Sequence, residues 1–214
     1  MNLKILIADD HQMVSDGLAA LIDAQSGMSV IGCATNGVDA LAKAKQLRPD
    51  VVVMDVSMPE MNGIEATQEI HNRLPTIRII MLSMHSSPEY IHRALQAGAM
   101  GYILKRSAGK EVVKAIEQVT AGKHFFSEAV AEIVVEQSLH RPAGVDAVSL
   151  LSARERQVLQ LLAESHSIVR IAELLSLSPK TIETYRARIY EKLALRDLPQ
   201  LVRFALKHGL TSLD

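Results

Sequence analysis

The chain has a single cysteine, no tryptophan, only 3% aromatic residues and charges that almost cancel at a net −1. The lone Cys33 excludes an intrachain disulfide framework and agrees with a reducing compartment. It lies in an apolar run, where it is expected to pack. No apolar run approaches the roughly 18 residues of a membrane span, and Asp9 and Asp10 interrupt the apolar start where a secretory signal would continue. A soluble, cytoplasmic protein without membrane contact is therefore expected. With so few aromatics, the cores must be built from Leu, Ile, Val, Ala and Met. A hydrophobic content of 48% is too high for a disordered chain.

The near-zero charge hides a division. Residues 1–148 carry 13 Lys and Arg against 17 Asp and Glu, whereas residues 149–214 carry 10 against 7. An acidic front and a mildly basic back fit a cation site followed by an anion-binding module. Strand-length apolar runs near 3–8, 29–34, 51–54, 77–82 and 101–104 alternate with helical patterns such as Met13, Leu18, Leu21 and Ile22. Ser87-Pro88-Glu89 reads as a helix start, and Gly98 and Gly122 fall where helix C-terminal caps belong. Five β-α units predict a doubly wound parallel sheet in strand order 2-1-3-4-5. One more helix is expected over 127–138, with Val130, Ile133, Val134 and Leu139 on one side, and Arg141–Asp146 reads as a linker. Beyond it the pattern is wholly helical. Ser152-Ala153-Arg154-Glu155 matches a capping box, and helices are expected near 152, over 168–175, over 179–193 and over 197–208. The division is thus 1–122, a connecting helix and linker over 123–148, and an all-α domain of four helices over 149–214.

Four of the apolar runs end in reactive polar residues: Asp9-Asp10, Asp55, Ser83 and Lys105. Ligands of such sheets bind at the carboxyl ends of the strands, so these residues should meet in one site. Three carboxylates suit Mg²⁺, which takes oxygen ligands and keeps several waters. Asp55 can then act as a nucleophile toward a phosphoryl group, with Lys105 as a point charge and Ser83 as a hydrogen-bond donor. An Asp-Asp pair taken alone also reads as a solvated loop or helix cap, and Tyr102 as an ordinary strand residue with a surface hydroxyl. His11 is placed at the start of the first helix, because hard Mg²⁺ prefers oxygen. In the back half, Ile182, Ile189 and Leu193 mark the inward stripe of helix 179–193. Its other side carries Lys180, Thr181, Glu183, Thr184, Tyr185, Arg186, Ala187, Arg188 and Glu191. With the short helix and turn before it, this is a helix-turn-helix whose second helix can enter a major groove, or an amphipathic surface helix of mixed charge.

The strand-end set, together with Asp55-Val56-Ser57-Met58-Pro59-Glu60-Met61-Asn62-Gly63, resembles the receiver domain of bacterial two-component response regulators. Leu151–Leu159, Ile171-Ala172, Leu177–Ile182 and Lys192-Leu193 resemble the LuxR-type DNA-binding domain. Together they resemble the NarL/FixJ-type layout over essentially the whole chain. The resemblance implies Asp55 as phosphoacceptor, Asp10 as a direct Mg²⁺ ligand, Asp9 as a ligand through water, and the Ser57 carbonyl as a further ligand. It also implies Ser83 and Tyr102 as a switch pair. In the back domain it implies Lys180, Thr181, Tyr185, Arg188 and Lys192 at the DNA backbone, with Glu183, Thr184 and Ala187 facing bases. The implied partners are a sensor histidine kinase, double-stranded promoter DNA and a second copy of the chain. The expected function is phosphorylation-controlled transcription regulation by a protein that accepts phosphate on itself and is not a turnover enzyme. Two other readings remain: a Mg²⁺-dependent phosphohydrolase using Asp55, and a back module that binds protein instead of DNA. The chain departs from the family at Ser165–Arg170, where a Gly and a polar run are common and Ile168-Val169 stand here.

Overall fold

The computed structural model describes residues 2–84, 86–139 and 147–211, and the chain divides into two compact units, Met1–Arg141 and Pro142–Asp214. In the first, β1 (Leu3–Ala8), β2 (Met28–Ala34), β3 (Val51–Asp55), β4 (Arg78–Ser83) and β5 (Gly101–Leu104) alternate with helices. These are α1 (Gln12–Asp23), α2 (Gly37–Leu47), α3 (Gly63–Arg73), α4 (Pro88–Gln96) and α5 (Ala108–Thr120). All strand pairs are parallel. The order is 2-1-3-4-5, as the β-α alternation predicts, extended by β6 (Phe125–Phe126) beside β5. Two residues are too few to leave a periodic signal, so this sixth strand was not legible beforehand.

Both faces of the sheet are covered, which is why its strands read as unbroken apolar runs. Leu6, Ala8, Val52, Met54, Ile79 and Met81 point into a core closed by α2, α3 and α4. Their neighbours Ile5, Ile7, Val51, Val53, Ile80 and Leu82 point into the other, closed by α1 and α5. Side-chain caps fix the starts of α2 and α3, where Asn36 accepts from the Asp39 N–H and Asn62 from the Glu65 N–H. Gly98 and Gly122 take positive φ just past α4 and α5.

Two details depart from the sequence reading. Met13 is 88% exposed and Leu21 40% exposed, although Leu18 and Ile22 of the same pattern are buried. Met13 sits in the first turn of α1, beside the polar rim that follows β1. Cys33 is exposed instead of packed, because β2 is an edge strand paired on one side only. The helix expected after β6 forms as α6 (Glu128–Leu139), and Val130, with Ala129, Ile133 and Val134, packs into the core beneath α4. The side chain of Leu139 and the expected linker over 141–146 lie outside the described residues. No helix among those described is long and apolar enough to cross a membrane.

The second unit consists of a 3-10 turn (Ala147–Leu150) followed by four helices, α7 (Ala153–Ala163), α8 (Ile168–Leu175), α9 (Pro179–Lys192) and α10 (Leu198–Lys207). Val158, Leu159, Leu162, Ile171, Ile182, Ile189, Leu201 and Ala205 form its core. The capping box is present, with Ser152 accepting from the Glu155 N–H and Glu155 accepting from the Ser152 N–H. Ser165 takes φ +63, the left-handed conformation that Gly adopts without strain. Ser167 then caps α8.

Glu155 has a second partner that the sequence did not reveal. Its Oε2 accepts at 2.7 Å from the Lys192 ammonium, which also donates to the Leu150 carbonyl at 3.1 Å. Burial pulls the Glu155 carboxyl upward, but the Lys192 and Ser152 hydrogen bonds outweigh it and hold the group below its ordinary range. A carboxyl depressed in the folded state stabilises above its unfolded pKa and loses that contribution as pH falls through the folded value. Glu155→Gln is therefore expected to lower unfolding stability by about 1–3 kcal/mol at neutral pH. The deficit should shrink in acid, as read by denaturant titration of both proteins at the two pH values.

Candidate functional site

Register builds the front site. Ala8 pairs with Met54 and Asp55 with Leu82, so Asp9, one residue past β1, comes beside Asp55 at the end of β3. Ser83 ends β4 opposite Leu104, and Lys105 follows β5 directly. The Lys105 ammonium bridges the two acids, 2.9 Å from Asp9 Oδ2 and 2.8 Å from Asp55 Oδ2. Asp10 and His11 complete the rim. His11 Nδ1 lies 2.9 Å from Asp10 Oδ1 and 3.2 Å from Asp9 Oδ1.

Electrostatics follow from crowding like charges in a buried place. Burial, then the Asp9 charge, push Asp55 up to about 7, with Lys105 and the Ser57 N–H opposing them. Burial alone would lower Lys105, but Asp55 and Asp9 raise it, so the ammonium stays charged. For His11 burial acts downward and Asp10 and Asp9 more than offset it, leaving the imidazole above its ordinary value. Asp9 Oδ2 and Asp10 Oδ1 are shielded from water. Their charged neighbours are Lys105 and His11. One ligand atom each from Asp9, Asp10, His11 and Asp55 fits within 4.8 Å of the others. Carboxylate oxygens clustered at that spacing form a ligand set that fits a hard divalent cation.

Ser57 sits just past the acid, and its N–H reaches Asp55 Oδ1 at 3.4 Å. The backbone here is tightly folded. The Gly63 N–H donates to the Val56 carbonyl at 2.9 Å, and a Cβ built on Gly63 would stand 1.8 Å from the Asp55 carbonyl oxygen. Glu60 takes φ +64 in the same loop. Ser83 is buried, and Tyr102 is fully buried with its ring among the core residues. The surface-hydroxyl alternative for Tyr102 therefore does not describe this fold. Burial raises the Tyr102 phenol, while a hydrogen bond with the Ser83 side chain opposes that shift and links the two residues.

In the second unit, Ile182 and Ile189 of α9 face the core, Tyr185 packs partly against it, and Lys180, Glu183, Thr184, Ala187 and Arg188 are exposed. Ser178, Lys180, Thr181, Thr184, Tyr185 and Arg188 line a concavity of ≈ 360 Å³. Ser178 caps the helix through the Thr181 N–H, and Thr184 donates back to the Lys180 carbonyl. Lys192 stands apart from this group, tied to Glu155, with a side chain still 39% exposed. Sequence reasoning named these side chains but missed the bond to Glu155, whose two ends lie 37 residues apart.

A parallel sheet whose carboxyl edge gathers three aspartates, a lysine and a serine hydroxyl defines a receiver domain, and the four-helix unit with α8 and α9 in tandem defines a helix-turn-helix domain. The model of the response regulator receiver domain matches residues 5–117, and that of the luxR family of bacterial regulatory proteins matches residues 149–205. The chain belongs to the response regulators that join a receiver to a LuxR-type DNA-binding domain and regulate transcription. It is 36% identical to the response regulator GacA of Pseudomonas aeruginosa over 208 residues, 97% of each chain. It is 38% identical to the transcriptional regulatory protein MctR of Rhizobium johnstonii, over 98% of this chain and 96% of that one. Among solved structures, RcsB of Salmonella enterica serovar Typhimurium, bound to the promoter P1flhDC in the presence of the phosphomimetic BeF3−, is similar at TM-score 0.62 and 27% identity. That likeness covers 99% of this chain and 100% of the other.

Proposed function

We propose that the protein takes a phosphoryl group onto Asp55 and thereby controls DNA binding by its C-terminal domain. The observation that carries this reading is the Lys105 ammonium held between Asp9 and Asp55 at one sheet edge. An Asp55 carboxylate oxygen attacks phosphorus, the bond to the donor's phosphorylated histidine nitrogen breaks, and an acyl phosphate remains. Lys105 holds the phosphate oxygens as a point charge, and Ser83 donates to one of them. Asp10, Asp55, the Ser57 carbonyl and, through water, Asp9 would hold Mg²⁺, which supplies charge neutralisation to the transferred group when bound. As Ser83 turns toward phosphate, its hydrogen bond with Tyr102 is given up, which couples the acid pocket to the core beneath α4.

In this reading residues 1–122 are the receiver, 123–148 connect, and 149–214 bind double-stranded promoter DNA. Lys180, Thr181, Tyr185, Arg188 and the exposed part of Lys192 contact phosphates. Glu183, Thr184 and Ala187 face bases. Two copies bind two half-sites as a homodimer, a sensor histidine kinase supplies the phosphate, and the protein acts in the cytoplasm. No turnover enzyme is implied, because the acceptor is the protein itself.

The DNA arm has its own test. Lys180→Ala or Arg188→Ala should weaken binding across all sequences and reduce the slope of log K against log salt by about 1. Fluorescence anisotropy on a specific and a scrambled duplex at several salt concentrations measures both. Loss confined to one base position, or none, would reject the phosphate assignment.

A further inference from the structure

His11 has no part in the phosphoryl chemistry described above, yet its Nδ1 points among the acids. The nitrogen is 2.9 Å from Asp10 Oδ1 and 3.2 Å from Asp9 Oδ1. In an octahedral site with bonds of about 2.1 Å, adjacent ligand atoms lie about 3.0 Å apart. The imidazole nitrogen and the two carboxylate oxygens thus already span neighbouring coordination positions. Position is fixed by the backbone, since His11 is the residue that opens α1 and its N–H donates to Asp9 Oδ1 at 2.9 Å. The side chain is 52% exposed, which leaves the ring free to settle onto an ion. Asp10 Oδ1, the oxygen closest to the ring, is shielded from water.

A set of oxygens alone suits Mg²⁺, whereas imidazole suits Zn²⁺ and the later first-row ions. We propose that His11 Nδ1 is a further direct ligand for a borderline transition-metal ion entering the same pocket, giving that ion an advantage over Mg²⁺. This inference rests on the reading of the pocket as a divalent-cation site. Mg²⁺ would leave the imidazole unliganded, so the two classes of ion occupy the pocket with different ligand sets. A cell's transition-metal level then becomes a second input to a site otherwise read only by phosphate.

Co²⁺ is the probe, titrated calorimetrically into the full-length protein at mildly alkaline pH, where the imidazole is neutral, with Mg²⁺ titrated in parallel. Wild type should bind Co²⁺ more tightly than Mg²⁺. His11→Ala should lose at least about tenfold in Co²⁺ affinity, the lower end of what even an outer-shell partner contributes, with Mg²⁺ changed by no more than about twofold. A paramagnetically shifted imidazole proton resonance should accompany Co²⁺ in wild type and vanish in His11→Ala. If His11→Ala leaves Co²⁺ affinity unchanged, or weakens both ions equally, while Asp10→Asn weakens both, the histidine ligand is rejected and the cation site stands. Unchanged affinities in Asp10→Asn would overturn the cation reading and this inference together.

Discussion

Asp55→Asn is expected to abolish phosphorylation by acetyl phosphate altogether, with the fold intact. The substitution keeps shape but removes the nucleophilic oxygen, and among the described residues no other carboxylate shares both the Lys105 ammonium and the Ser57 N–H. Stability should not suffer. Burial and Asp9 raise the Asp55 pKa to about 7, so the ionised form is disfavoured in the folded state, and the destabilisation grows as pH rises past the unfolded value. A neutral Asn removes that term, and the denaturation midpoint in cation-free buffer near neutral pH should be equal to or above that of wild type. Intact-protein mass after incubation with acetyl phosphate reads the first effect, and urea titration the second. Undiminished labelling of the variant would move the acceptor to another residue.

Gly63→Ala should be the most damaging single methyl group in the receiver. The added Cβ would stand 1.8 Å from the Asp55 carbonyl oxygen and 2.8 Å from its carbon, both backbone atoms that no rotamer can move aside. Either α3 or the end of β3 must shift, and Asp55 with it. Overpacking against backbone is expected to cost about 3 kcal/mol or more, together with much slower phosphorylation. Gly17→Ala is the matched control. Nothing lies within 4 Å of its added Cβ, and an interior helical Gly exchanged for Ala should gain about 0.5–1 kcal/mol. Denaturant midpoints and acetyl-phosphate labelling rates of the two variants separate local crowding from a general intolerance of substitution. Equal behaviour of the two would reject the close approach.

Much of the candidate site was legible before any coordinates. Apolar runs that stop at Asp9, Asp55, Ser83 and Lys105 mark strand ends, and the rule that ligands gather at the carboxyl edge of a parallel sheet turns those ends into a single pocket. Legibility failed where the answer depended on a partner distant in sequence. Lys192 reads as a basic residue at a helix end, and only packing of α7 against α9 ties it to Glu155. Tyr102 fits a buried or a surface position equally well, because one aromatic residue in a four-residue strand carries no period. Met13 shares the helical spacing of Leu18 and Ile22, but spacing does not say where along the helix the core ends. Cys33 lies in an apolar run whose strand turned out to be the sheet's edge.

Local pattern alone determined the two-part organisation, the parallel sheet and the identity of the polar residues at its rim, because periodicity and strand-end chemistry are properties of neighbouring residues. Tertiary structure decided which of those groups touch: Lys105 between Asp9 and Asp55, and Tyr102 inside with Ser83. The physical reason is range. Hydrogen bonds and contact ion pairs need separations of about 3 Å, and distances that short between residues far apart in sequence are set by strand register and helix packing, which no local stretch of the chain encodes by itself.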